Sequence, residues 1–222
     1  MIEKAVVESA PSAACCPFMK FKDCRLLMCR AILFLSLLSV GLVADLVTKS
    51  IFLSKYPPNA MAPVWWIDGV LGVQTSTNGG ALFGIGDGGS HWFALFSVVA
   101  LIFVVYWLFI AGNATSIWLT FALGLVSGGI LGNFYDRVGM GYHPSWNAPH
   151  LKGHVRDWIH FRLEGVPFFD PWPNFNIADS LLVTGAFLLI LFTLFGVGIE
   201  SKENTTHQSN EANLLTNQSR NE

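Results

Sequence analysis

The chain predicts a membrane all-α fold of four transmembrane helices, joined to a small β-sheet element. Three observations carry that prediction. Only 13% of its 222 residues are charged, about half the share usual in a soluble domain, while 52% are hydrophobic. Mean hydropathy is +0.49. From Gly88 to Tyr135 there is no Asp, Glu, Lys or Arg, a run about twice the ~20 residues that cross a bilayer core as helix.

The spans follow in order. Ala31–Ala44 is uncharged but short. Apolar residues continue through Asp45-Leu-Val-Thr48-Lys49 to Leu53, so the first span is placed at about 27–53. Asp45 and Lys49 are four apart, on one helix face, where they can pair. Val64–Ile67 and Val70–Gln74 flank Asp68-Gly69, a good hairpin turn. Gly112-Asn113 breaks the long run into spans at about 92–111 and 115–135. Ser180–Ile199 is again uncharged, giving a fourth span at about 177–199. Residues 26–200 therefore read as one membrane domain, between an N-terminal extension (1–25) and a polar, disordered tail (201–222). Four spans put both termini on one side. Lys4, Lys20, Lys22, Arg25 and Arg30 make that side cytoplasmic.

Several function classes drop out. A net charge of −2 offers no basic field for nucleic acid. Cys15, Cys16, Cys24 and Cys29 all lie in the first thirty residues and form no C-x-x-C pair, so neither a disulfide framework nor a zinc site is expected. Gly84-Ile-Gly86-Asp-Gly-Gly89 matches G-x-G-x-x-G without a βαβ context, which excludes a dinucleotide site. No cofactor is implied.

Ionisable residues near spans are costly, so their placement is the functional clue. Asp45/Lys49, Asn78-Gly79-Gly80, Asn133/Asp136/Arg137 and Asp157 with Asn176/Asp179 all map to the outer ends of spans or to the outer loops. Two carboxylates at a low-dielectric boundary, Asp157 and Asp179, can share one proton, because the first charge opposes the second ionisation. One then activates water while the other protonates. Each also has a structural reading. Asn176-Ile-Ala-Asp179 fits a helix N-terminus. Asp157 beside Arg156 fits a surface ion pair, and Asp136-Arg137 a charge pair at a span end. Gly128, Gly129 and Gly132 suit close helix packing.

Two rival classes remain at this stage. His150-x-x-x-His154-x-x-Asp157 has a spacing that a helix could turn toward one metal ion, as in a metal-dependent membrane hydrolase or a metal-binding protein. Pro149 and Gly153 weaken that helix. A transporter would want its polar groups near mid-membrane, whereas here they gather at one end of the spans.

Five motifs occur in order: Asp45-Leu-Val-Thr48-Lys49, Asn78-Gly79-Gly80-Ala81-Leu82-Phe83, Gly128-Gly129-Ile-Leu-Gly132-Asn133-Phe-Tyr-Asp136-Arg137, His154-Val-Arg-Asp157-Trp158 and Phe175-Asn176-Ile-Ala178-Asp179-Ser180. The series resembles the bacterial lipoprotein signal peptidase (signal peptidase II) family. The resemblance implies a four-helix aspartic endopeptidase of the inner membrane, with a small periplasmic sheet, its active site on the periplasmic side and no metal. It implies removal of signal peptides from diacylglyceryl-modified prolipoproteins just before the lipidated cysteine, with membrane lipids and globomycin-type inhibitors as further partners. It places catalysis on Asp157 and Asp179. Asn133 and Asn176 would hydrogen-bond in or beside the site. Asn78, with Gly79, would contact substrate backbone, and Asp45 and Lys49 would hold the first span near the substrate. Asp136 and Arg137 would support the structure. The link from Arg137 to Asp157 is longer than usual in the family, and Arg156 and Trp158 replace the customary neighbours of Asp157.

Overall fold

A computed structural model describes residues 21–58, 62–80, 89–114 and 116–196. The extension up to residue 20, Cys15, Cys16, Ala81–Phe83, most of the glycine-rich stretch and the tail lie outside them. Four helices are long and apolar enough to cross a membrane. A three-stranded antiparallel sheet, in the order β1-β2-β3, completes the fold.

Helix α1 (Phe21–Lys55) has 35 residues, about 52 Å at 1.5 Å per residue. It outreaches a ~30 Å hydrocarbon core. It carries its ion pair internally, with Lys49 Nζ 2.7 Å from Asp45 Oδ2. Strands β1 (Val64–Ile67) and β2 (Leu71–Asn78) form the hairpin, turning at Gly69 with φ +68°. Strand β2 runs further than the apolar pattern suggested. Its polar half stays extended because it pairs on its other side with β3 (Val155–Phe161), placing Ser76 opposite Asp157 and Thr77 opposite Arg156.

Helix α2 (Ser90–Val105) widens into a π-helical turn, Tyr106–Ile110, and stops at Gly112 with φ +79°. Ser116 then caps α3 (Ile117–Arg137), accepting from Leu119 N. Half of the apolar stretch of α3 is buried, against 11–17% in the other three helices, so α3 is the central helix. Its glycines permit this. A Cβ at Gly129 would stand 2.5 Å from Ala178 O, and one at Gly132 2.5 Å from Asp45 Oδ2. Helix α4 (Ile177–Leu191), ending in a second π-helical turn, packs on α3.

Two apolar clusters result. Phe34, Leu108, Leu119 and Leu123 join α1, α2 and α3. Leu53, Val73 and Trp158 seat the sheet on the end of α1, where Phe52 stacks on Trp158 at 4.0 Å. The sheet caps one end of the bundle, because its strands lie in the α1–α2 and α3–α4 connections.

The connection 138–154 is not a helix. It makes two 3-10 turns, Pro144–Trp146 and Pro149–Leu151, and reverses at Gly153 with φ +89°.

Candidate active site

Asp157 is delivered by β3, and Asp179 by the first turn of α4. They are far apart in sequence, and the segment entering α4 joins them. Phe175 pairs with β3: Ile159 N donates to Phe175 O at 2.8 Å, and Phe175 N to Ile159 O at 3.1 Å. The next residue, Asn176, caps α4 by accepting from Asp179 N at 2.9 Å, and the Asp179 side chain accepts in return from Asn176 N. This capping box satisfies two otherwise orphaned donors. It also fixes the polarity of the Asn176 amide. With its oxygen taken by Asp179 N, its Nδ2 points at Asp157 Oδ1, 2.7 Å away.

Asn133, on α3, does the same for the other carboxylate. Lys49 Nζ lies 3.1 Å from Asn133 Oδ1. An ammonium has only donors, so the amide oxygen must face it, and Asn133 Nδ2 donates to Asp179 Oδ1 at 2.8 Å. Each aspartate thus receives one side-chain amide N–H, and the two side-chain amides touch through Asn176 Nδ2 and Asn133 Oδ1 at 3.3 Å.

Asp157 is 3% exposed. Burial holds its carboxyl well above the ordinary carboxylate value, and the charge of Asp179 pushes it further up. The charge of Lys49 and the Asn176 hydrogen bond oppose this only in part. Asp157 therefore favours its protonated form.

Both aspartates line a cavity of about 840 Å3. Its polar end includes Asn78, Asn133, Arg137 and Asn174. Its walls are apolar: Phe93, Phe96 and Ala100 from α2, Ile130 from α3, and Leu182 and Val183 from α4.

The remaining residues singled out from sequence brace this arrangement. Asp45 and Lys49 are fully buried. Asp45 Oδ1 accepts from Ala178 N at 2.9 Å, which ties α1 to the start of α4. Lys49 also meets Asp136 Oδ2 at 3.0 Å. Arg137 donates to Gly79 O at 2.8 Å, to Asn78 O at 3.3 Å and to Gly80 O, clamping the turn after β2. Asn78 Oδ1 accepts from Gly80 N at 2.9 Å.

Three expectations need correction. Arg156 and Asp157 are not a surface ion pair. Neighbours in a strand face opposite ways, and Arg156 Nε binds Asp136 Oδ1 at 2.7 Å, buried. Nor do Asp136 and Arg137 pair with each other: Asp136 binds Lys49 and Arg156, while Arg137 binds backbone carbonyls. His150, His154 and Asp157 do not converge. His150 is exposed on a 3-10 turn, and Gly153 breaks the helical spacing. Among the described residues no three His, Cys, Asp or Glu are grouped to hold a metal ion.

The sequence reading missed Arg156 and Asn174. Asn174 Nδ2 donates to Gln74 O at 2.9 Å, so its Oδ1 faces His160 Nδ1 at 2.7 Å, bracing the approach to α4. An arginine and a histidine inside an otherwise apolar strand were the available signal, since both need buried partners.

Comparisons with known proteins agree with this architecture. A lipoprotein signal peptidase of Rhodopirellula baltica is 44% identical over 163 residues, 73% of this chain and 71% of that one. One of Rhodococcus jostii is 35% identical over 169 residues, 76% of this chain and 75% of that one. A bacterial membrane enzyme solved by the in meso method at 2.3 Å matches with TM-score 0.60 and 30% identity, covering 72% of this chain and 87% of its own. A second, solved at 1.9 Å, matches with TM-score 0.59 and 30% identity, over 73% and 92%. The family described as signal peptidase (SPase) II matches residues 37–195, and the chain belongs to that family of peptidases.

Proposed function

We propose that this chain is an aspartic endopeptidase of the bacterial inner membrane that removes signal peptides from diacylglyceryl-modified prolipoproteins. It cuts just before the lipidated cysteine. The observation that carries the reading is the pair Asp157 and Asp179, each held by an asparagine amide at the polar end of one cavity.

Asp179, ionised and oriented by Asn133, takes a proton from a water as its oxygen adds to the scissile carbonyl carbon. Asp157, protonated, hydrogen-bonds the carbonyl oxygen and stabilises the charge that grows there. A proton then passes from Asp179 to the leaving nitrogen. The C–N bond breaks, giving the lipidated cysteine a free amine and the signal peptide a carboxylate. The dyad supplies both acid and base. The apolar walls from α2 and α4 suit the acyl chains, and the Asn78–Gly80 turn held by Arg137 offers backbone groups to the peptide. Globomycin-type inhibitors would compete for this cavity. The basic N-terminal residues support a topology with both termini in the cytoplasm and the sheet and dyad on the periplasmic side.

The test is to incubate the purified protein in detergent with one prolipoprotein, with and without the diacylglyceryl group, and to read the products by mass spectrometry. Cleavage before the cysteine on the lipidated form alone is expected. Equal cleavage of both forms, or cleavage elsewhere, contradicts the substrate assignment.

A further inference from the structure

Beneath the dyad lies a buried cluster of four charges. Asp45 and Lys49 come from α1, Asp136 from α3 and Arg156 from β3. Side-chain exposure is 0% for the first three and 7% for Arg156. Two acids and two bases sum to no net charge. Lys49 alone bridges Asp45 at 2.7 Å and Asp136 at 3.0 Å, so one cation would leave a surplus anion where water cannot screen it. Arg156 removes that surplus.

Its geometry also ties β3 down. Arg156 Nε binds Asp136 Oδ1 at 2.7 Å, and its backbone N donates to Asp136 Oδ2 at 3.2 Å. Its carbonyl receives Asn176 Nδ2 at 3.4 Å, the same amide nitrogen that binds Asp157 at 2.7 Å. The connection 138–154 closes over the pair: a Cβ at Gly141 would overlap both Asp136 Oδ1 and Arg156 Nε.

We propose that Arg156 is a positioning residue for peptide cleavage: it neutralises Asp136 and anchors β3, so that Asp157 faces the cavity with no surplus negative charge behind it. This rests on Asp157 being the catalytic carboxylate proposed above. The other titratable or charged groups on the packed elements are accounted for. On α3, the Tyr135 ring lies 5.9 Å from Arg156 Cζ, and Arg137 is engaged by the Asn78–Gly80 carbonyls. On β3, His160 meets Asn174. On α4, Asp179 receives Asn133. From the covering connection, the Lys152 chain packs on Gly139.

The test uses pH–activity profiles of the purified full chain in detergent, on a diacylglyceryl prolipoprotein, with melting temperature as a check on folding. Arg156→Met leaves the cluster at −1, so the alkaline limb, where Asp157 loses its proton, moves up by about one pH unit. Its kcat falls about 10²-fold while KM changes little. Asp136→Asn leaves +1 and moves the limb down. The double variant returns it toward wild type. Arg156→Lys, which keeps the charge and loses the Nε contact to Asp136 Oδ1, leaves the limb in place and lowers kcat. Limbs that move the same way in Arg156→Met and Asp136→Asn, or a limb displaced in Arg156→Lys as far as in Arg156→Met, overturn the proposal. Asp157→Asn is run beside them: if it still cleaves, the dyad reading itself fails, a result distinct from unmoved limbs beside a dead Asp157→Asn.

Discussion

Asp157 carries a cost in stability that depends on pH. Its folded pKa is raised above the unfolded value, first by burial and then by Asp179. The folded state therefore holds the proton longer than the unfolded state does, and stability falls as pH rises from the unfolded carboxylate range toward the folded value. Asp157→Asn removes this penalty. Its melting temperature in detergent should equal that of wild type near pH 4 and exceed it increasingly toward neutral pH. An advantage that shrinks with rising pH would contradict the assignment. Asn133 and Asn176 are the other sensitive side chains. Asn176→Ala removes both a helix cap, about 1 kcal/mol, and the only side-chain donor to Asp157 among the described residues. Activity should drop about 10²-fold, far more than the loss in melting temperature would explain. The roles of these residues were only partly legible in the sequence. The Asn176–Asp179 cap follows from local spacing. The pairing of Asp157 with Asp179 does not follow from local spacing: their place at the outer ends of spans allowed it, and the resemblance of five ordered motifs singled it out.

Helices were easier to read than strands. A charge-free run reports a span directly, so α2, α3 and α4 stand where the composition indicated. Strand β3 was hidden because Arg156, Asp157 and His160 interrupt its apolar pattern. It forms because each of these has a buried partner: Asp136, Asn176 and Asn174. The π-helical turns at Tyr106–Ile110 and Phe192–Gly196 leave no compositional trace. The connection 138–154 holds the histidines of the rival metal reading, yet it covers an ion pair through a bare glycine backbone. Helix packing gives the prediction at this scale. Gly132→Ala puts a methyl 2.5 Å from Asp45 Oδ2 and 3.0 Å from Ala178 Cβ, between groups that tie α1 to α4. It should destabilise by about 1–3 kcal/mol, seen as a lower melting temperature in detergent. Gly124→Ala, whose nearest neighbour is the Leu37 side chain at 3.0 Å, should cost less. The reverse order would argue against a tight α1–α3–α4 junction.

The whole molecule is a four-helix bundle with its polar machinery at one end, next to a cap of three strands. The end holding the sheet is where α1 and α3 finish and where α2 and α4 begin, so α1 begins and α4 finishes at the opposite end. Reporter fusions after residue 222 and in the Pro144–Trp146 turn should report opposite sides of the membrane, cytoplasmic and periplasmic respectively. Matching sides would remove a span from the account. The cavity joins apolar walls from α2 and α4 to the two carboxylates, an arrangement that suits the part-lipid, part-peptide substrate proposed for it. The most direct measurement is cleavage of a diacylglyceryl-modified prolipoprotein by purified wild type, Asp157→Asn and Asp179→Asn, each with and without EDTA. EDTA-resistant cleavage in wild type and loss of activity in both folded variants are the expected result. Cleavage that survives Asp157→Asn or Asp179→Asn, or that EDTA abolishes, would contradict the dyad reading.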